Sequence, residues 1–144
     1  MKNMENSNFV RLIGVWKTTG TVKTGKDTIA LIGIDTYEFI LDGHFILHKA
    51  DVKMGNERSE TLEIIKPNNA FDKATMHYFN TKGEEGIMRS SMSNNVFEME
   101  GNRLKFIGTI NTENTKIIGK WYTKLENDTW TDFIDLILEK QLKL

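Results

Sequence analysis

The chain has 144 residues, no cysteine and a formal net charge of −1, with 27% charged residues. This length predicts a single domain over residues 1–144, and the lack of cysteine excludes a disulfide framework, a thiolate metal site and a cysteine nucleophile. The balanced charge indicates neither a nucleic-acid partner nor a membrane partner. Because residues 1–8 lack the apolar stretch of a signal peptide and no run approaches ~18 apolar residues, we expect a soluble, cytoplasmic protein.

Residues 5–12 are predicted to form a short helical turn with Asn8 as its N-cap. Polar and apolar residues then alternate, and residues 15–24 form a strand with Trp16 and Thr18 on one face and lysines on the other. Residues 25–33 are predicted to be a looser connection that folds over a barrel end. Nine further strands are predicted at residues 34–41, 44–54, 58–66, 73–80, 86–93, 96–100, 103–110, 115–125 and 129–140.

The connections between these strands are short, and several carry strong turn signals such as Asp42-Gly43. Short connections make strands that are neighbours in sequence antiparallel neighbours in space. No crossover long enough for a parallel sheet is present. The pattern therefore predicts an all-β fold, an up-and-down antiparallel barrel of about ten strands. The alternative is a sandwich of two sheets with a filled core.

A set of sequence phrases resembles a known family. The G-x-W opening at Gly14 is shared by calycin-type barrels, which include lipocalins, fatty-acid-binding proteins and nitrobindin-like proteins. The full set is Gly14-Val15-Trp16, Tyr37-Glu38-Phe39, Asp42 through Asp51, Leu62-Glu63-Ile64-Ile65, Met76 through Gly83, Leu104 through Gly108, Ile118-Gly119-Lys120-Trp121 and Trp130 through Leu136. Together these phrases resemble the bacterial DUF1579 family of lipocalin-like proteins, whose activity is unassigned, and the resemblance covers residues 12–140.

The resemblance implies a fold and no reaction. It implies that Trp16 plugs the closed end of the barrel. Fatty-acid-binding proteins insert a helix pair between their first two strands, and residues 25–33 are too short for such a lid. Nitrobindin-like proteins hold haem iron through a late histidine, and no histidine follows His77 here, so that ligand is not carried over.

His48 is the main candidate for a functional residue inside the barrel. Alternate residues of a strand lie on the same face, a relation called parity here. His48 has the parity of Ile46 and Ala50, whereas Lys49 and Asp51 have the opposite parity, so its imidazole is expected to face inward. A lumenal imidazole could bind a ligand carboxylate, ligate a metal or act as a base. The alternative is a core histidine whose ring nitrogens are satisfied by neighbouring groups.

Four further residues are candidate ligand-binding residues of the lumen. Trp121 faces inward by parity and would either line or fill the cavity, and Tyr37 is a polar residue where pure packing would favour an aliphatic one. The facing of His77 and Arg89 is left open, because both parities of their strands carry residues suited to the interior. If Arg89 faced inward, it would need a carboxylate partner.

We identify no catalytic motif, no metal site and no cofactor in the sequence. His44 and His48 lie roughly 13 Å apart along their strand, so they cannot chelate one ion. The predicted function is the binding of a small hydrophobic or amphipathic molecule in the lumen. The alternatives are a solid-core interaction module that forms a homodimer through outward apolar residues such as Ile118, an enzyme that uses an inward histidine, and a haem-binding barrel.

Overall fold

The computed structural model describes residues 4–142 as a closed barrel of ten antiparallel strands. Each strand pairs with its neighbours in sequence, and the last strand pairs with the first from Trp16↔Lys140 to Val22↔Ile134. The predicted barrel is thus confirmed. The strands are β1 Gly14–Thr24, β2 Asp27–Ile40, β3 Phe45–Met54, β4 Glu57–Pro67, β5 Lys73–Asn80, β6 Glu85–Ser93, β7 Val96–Glu100, β8 Leu104–Ile110, β9 Lys116–Lys124 and β10 Trp130–Lys140.

The segment after β1 differs from the sequence prediction. Residues 27–33 are not a loose connection but the first half of β2, and each of them pairs with a residue of β1, ending at Thr24↔Asp27. Gly25 has a φ of +69°, which glycine adopts without steric cost, so a two-residue turn joins the strands. Leu31 is buried while Ile32 is exposed, as alternation along a barrel strand requires.

The N-terminal segment closes one end of the barrel. It forms two short 3-10 helices, Met4–Asn6 and Asn8–Leu12, which together make up the helical plug. The cap of the second helix is Ser7 and not Asn8, because the Ser7 hydroxyl accepts a hydrogen bond from the Phe9 amide. Trp16 is fully buried and its indole donates a hydrogen bond of 2.8 Å to the Leu12 carbonyl. Trp16 therefore joins the helical plug to the wall.

The two halves of the barrel interior are packed differently. The half under the helical plug is filled by large side chains with at most 2% exposure: Phe9, Leu12, Trp16, Ile46, Ile65, Met76, Met92, Phe97, Phe106, Ile110 and Ile117. Phe106 fits because Gly108 and Gly119 present no side chain to its ring. Toward the other end the inward-facing side chains are half-buried, among them Val52, Trp121 and Ile134. Solvent therefore reaches the lumen from the end opposite the plug.

Candidate ligand-binding cavity

The less filled half of the barrel holds a cavity of about 250 Å³. This is somewhat smaller than the ~300–1,000 Å³ of pockets that bind drug-sized molecules. Its wall is largely apolar, and its polar side chains lie on five neighbouring strands, β1 to β5. The lining residues are Thr18, Leu31, Asp35, His48, Ala50, Val52, Met54, Thr61, Glu63, Tyr78, Asn80, Met88, Met99, Leu104, Trp121, Ile134 and Leu136.

A histidine held between two carboxylates forms the polar part of this wall. His48 on β3 lies directly opposite Glu63 on β4, and Asp35 lies on the other neighbouring strand. The distance from His48 Nε2 to Asp35 Oδ1 is 2.7 Å, and that from Nδ1 to Glu63 Oε1 is 2.9 Å. Since both ring nitrogens face a carboxylate oxygen, the arrangement is satisfied fully only when both nitrogens carry a proton and donate.

The electrostatics agree with a protonated imidazole. Burial by itself lowers the pKa of His48, but the hydrogen bonds and negative charges of Asp35 and Glu63 outweigh it and raise the pKa to about 9. Tyr37 stacks on the same imidazole at 4.0 Å with nearly parallel rings, and an aromatic face attracts a cation. Burial, followed by the charges of Asp35 and Glu63, raises the pKa of the Tyr37 phenol well above its usual value. At neutral pH His48 is a cation and Tyr37 is neutral.

The carboxylates have different surroundings. One oxygen of Asp35 binds His48 and the other accepts a hydrogen bond from the buried Thr18 hydroxyl. Glu63 is only 3% exposed, and its Oε1 binds His48. Among the described residues, no donor reaches Glu63 Oε2. Glu63 therefore presents one acceptor oxygen to the cavity.

The same geometry does not form a metal centre. The two imidazole nitrogens lie on opposite sides of the ring, so the carboxylates that they bind cannot converge with one nitrogen on a single ion. Within residues 4–142, no group of three or more histidine, aspartate or glutamate side chains is placed to hold a metal.

The structure brings three of the five predicted site residues to this region. His48 and Trp121 line the cavity, and Tyr37 lies behind His48 in ring contact. His77 and Arg89 lie on the outer wall, with side chains 47% and 80% exposed next to Glu85 and Glu100. Their neighbours in sequence, Met76, Tyr78, Met88 and Ser90, take the inward parity. Neither His77 nor Arg89 lines the cavity.

Sequence reasoning missed Asp35 and Glu63. Glu63 shares the inward parity of Thr61 and Ile65 in a strand whose outward residues include Leu62, and a carboxylate on the core parity is a signal that could have been used. Asp35 shares the inward parity of Leu31 and Tyr37, but the misplaced start of β2 hid that alternation.

Comparison with known proteins identifies the class of fold. The structure of Rv2717c from M. tuberculosis superposes with a TM-score of 0.71 at 11% identity, covering 92% of this chain and 94% of that one. The S-type phycobiliprotein lyase CPES from Guillardia theta superposes with a TM-score of 0.57 at 8% identity, covering 99% and 94%. No family model and no curated protein matches the sequence. The chain is a lipocalin-like β-barrel, and these similarities define its fold alone.

Within residues 4–142, no helix is long and apolar enough to cross a bilayer.

Proposed function

We propose that this barrel binds a small, partly apolar molecule in the half of its lumen opposite the helical plug. The observation that carries the proposal is the cavity of about 250 Å³ next to a fully packed half of the same barrel. Protein interiors are normally filled to the density of organic crystals. A largely apolar cavity that opens to solvent and carries its polar side chains on neighbouring strands has the composition of a ligand site.

The polar wall supports the same proposal. Buried charges are costly unless they are paired and hydrogen-bonded, and aliphatic residues at positions 35, 48 and 63 would fill the barrel more simply. The three side chains also stand at the boundary between the packed half and the cavity, where they can fix the orientation of a molecule that enters from the open end.

Methionine methyl groups offer a direct test. Met54, Met88 and Met99 line the cavity, whereas Met76 and Met92 are fully buried in the packed half. With ¹³C-methyl methionine labelling, we expect titration with hexan-1-ol to shift the first three resonances saturably and to leave the last two nearly unchanged. Equal, unsaturable shifts of all five, or no shifts, would contradict the proposal.

A cavity-filling variant with a matched control sharpens this test. Ala50 lines the cavity, so Ala50→Leu adds three carbons to the lumen and is expected to weaken probe binding strongly. Lys49 is the adjacent, outward-facing residue of the same strand, and Lys49→Leu is expected to leave binding unchanged. If both variants bound the probe like the wild type, the probe would not occupy the lumen.

Two alternatives receive less support from the geometry. A histidine that acts as general base needs an unprotonated nitrogen, whereas both nitrogens of His48 face carboxylates and its pKa is about 9. Histidine ligation of haem needs a free ring nitrogen in the cavity. His48 offers none in this arrangement, and His77 lies on the outer wall.

Homodimerisation through the outer wall is a second candidate function. A row of directly paired residues crosses strands β2, β1, β10 and β9 as Ile32↔Thr19, Thr19↔Ile137 and Ile137↔Ile118. Ile32 and Ile118 are 55% and 52% exposed, and contiguous exposed apolar residues favour association. Light scattering should give a dimer mass that Ile118→Lys reduces to that of a monomer. A monomeric wild type at high concentration would contradict this candidate.

We also propose that the protein is cytoplasmic and related to the bacterial DUF1579 family. The absence of cysteine is compatible with a reducing compartment, and the sequence phrases given above support the kinship. Cell fractionation of the native host tests the location, and recovery of the protein in the membrane or secreted fraction would contradict it.

A further inference from the structure

The acidic and basic side chains of the cavity wall indicate which ligand charge the cavity favours. Among its lining residues the only basic side chain is His48, and neither lysine nor arginine contributes. The polar wall sets two carboxyl groups, Asp35 and Glu63, against the single imidazole of His48, so it has one acidic group in excess. A negatively charged wall in a partly desolvated cavity favours a cation, because charges interact more strongly there than in bulk water.

One atom offers the specific contact. Glu63 Oε2 receives no hydrogen bond from the described residues, although the side chain is 4% exposed and its other oxygen is bound to His48. Because this oxygen is not fully enclosed by protein, it is reached from the cavity and takes its donor from water or from a ligand. The imidazolium cannot supply it, since both of its N–H groups already bind carboxylate oxygens.

The rest of the wall suits the remainder of such a ligand. Leu31, Ile134 and Leu136 offer aliphatic surface, and the Trp121 and Tyr78 rings border the same space. Aromatic faces attract cations and pack against alkyl chains. The cross-strand partner of Tyr78 is Gly86. Because Gly86 has no side chain, it leaves room for the Tyr78 ring; a β-carbon there would lie only 2.6 Å from the phenol oxygen.

We propose that the ligand is a small primary amine with an apolar body, whose ammonium group donates a hydrogen bond to Glu63 Oε2 while its body lies among the aliphatic and aromatic residues. This inference rests on the proposed lumenal binding function and specifies its substrate class. The inference also explains why two carboxyl groups surround one imidazole. His48 holds both in place but balances only one of them, so the other can pair with the ammonium group of the ligand.

Three probes with the same alkyl chain test the inference on the wild-type protein. Hexylamine, hexan-1-ol and hexanoate are titrated at neutral pH with the methionine methyl groups as reporters. Hexylammonium is expected to bind about tenfold or more tightly than hexan-1-ol, the effect of one charge-assisted hydrogen bond, and hexanoate is expected to bind most weakly. Equal affinities, or a preference for the alcohol or the acid, would overturn the amine inference and leave lumenal binding intact. Absence of binding by all three would overturn both.

A charge-matched pair of variants assigns the preference to one atom. Glu63→Gln keeps the size of the side chain and an oxygen that can accept from His48, and it should remove most of the preference for hexylammonium over hexan-1-ol. Glu85→Gln changes the net charge equally on the outer wall, where Glu85 is 65% exposed, and should keep the preference. If Glu63→Gln does not fold, Asp35→Asn tests whether the excess acidic group of the wall sets the preference. An undiminished preference in folded Glu63→Gln would contradict the assignment to Glu63 Oε2, and an undiminished preference in Asp35→Asn would contradict the electrostatic argument.

Discussion

Replacing His48 with glutamine should change how the stability of the protein depends on pH. The pKa of His48 is 6.5 in an unfolded chain and about 9 in the folded protein, and each pKa unit corresponds to about 1.36 kcal/mol. Protonated His48 therefore stabilises the fold by up to about 3 kcal/mol. Because the folded pKa is raised, this contribution is complete below pH ~6.5 and is lost as the pH rises through ~9.

The assay is urea unfolding of the wild type and of His48→Gln at several values between pH ~6 and ~10. The free energy of unfolding of the wild type should fall by about 3 kcal/mol more than that of the variant across this range. Tyr37 stays neutral in the folded protein over this range because its pKa is raised, and its ionisation in the unfolded chain near the top of the range is common to both proteins and cancels in the difference.

His77→Gln is the matched control. His77 lies on the outer wall beside Glu85 with 47% of its side chain exposed, so this variant should follow the wild-type curve. Parallel curves for the wild type and His48→Gln would refute the conclusion that the carboxylate pair stabilises a charged imidazole.

Three further substitutions test the packing and the placement of residues by urea unfolding. Gly119→Ala would place a β-carbon 2.4 Å from the Phe106 ring and should destabilise the barrel by about 1–3 kcal/mol; an unchanged midpoint would contradict the packing described for that half. Arg11→Ala removes hydrogen bonds to Asn95 and Asn111 that tie the plug to two loops, with an expected loss of about 1 kcal/mol or more; a loss equal to zero would show that the plug is held without them. Arg89→Ala should alter stability by less than about 0.5 kcal/mol and leave probe binding unchanged, and a large effect on binding would contradict its place on the outer wall.

The barrel itself could be predicted from alternation and turns. Ten strands with short connections leave few ways to pair, and an antiparallel barrel satisfies the backbone without open edges. The start of β2 was missed because Ile29, Leu31 and Ile32 look like a cluster that folds over an end. In the structure they alternate inward and outward along a strand that pairs with β1.

The site was only partly predictable. Parity along one strand is enough to point His48 inward, but its partners come from neighbouring strands, and only the register shows that Glu63 lies opposite it. For His77 and Arg89, parity was ambiguous because apolar residues occur on both faces of their strands. Phe79 and Ile87 are both exposed, so apolar residues also lie on the outer face of these strands.

A crystal structure of the protein with hexylammonium shows whether the less filled half of the lumen is a binding site. We expect the probe inside the barrel, with its nitrogen ~2.7–2.9 Å from Glu63 Oε2 and its chain against Leu136 and Trp121. A lumen closed by side chains, or a probe found only on the outer wall, would contradict it.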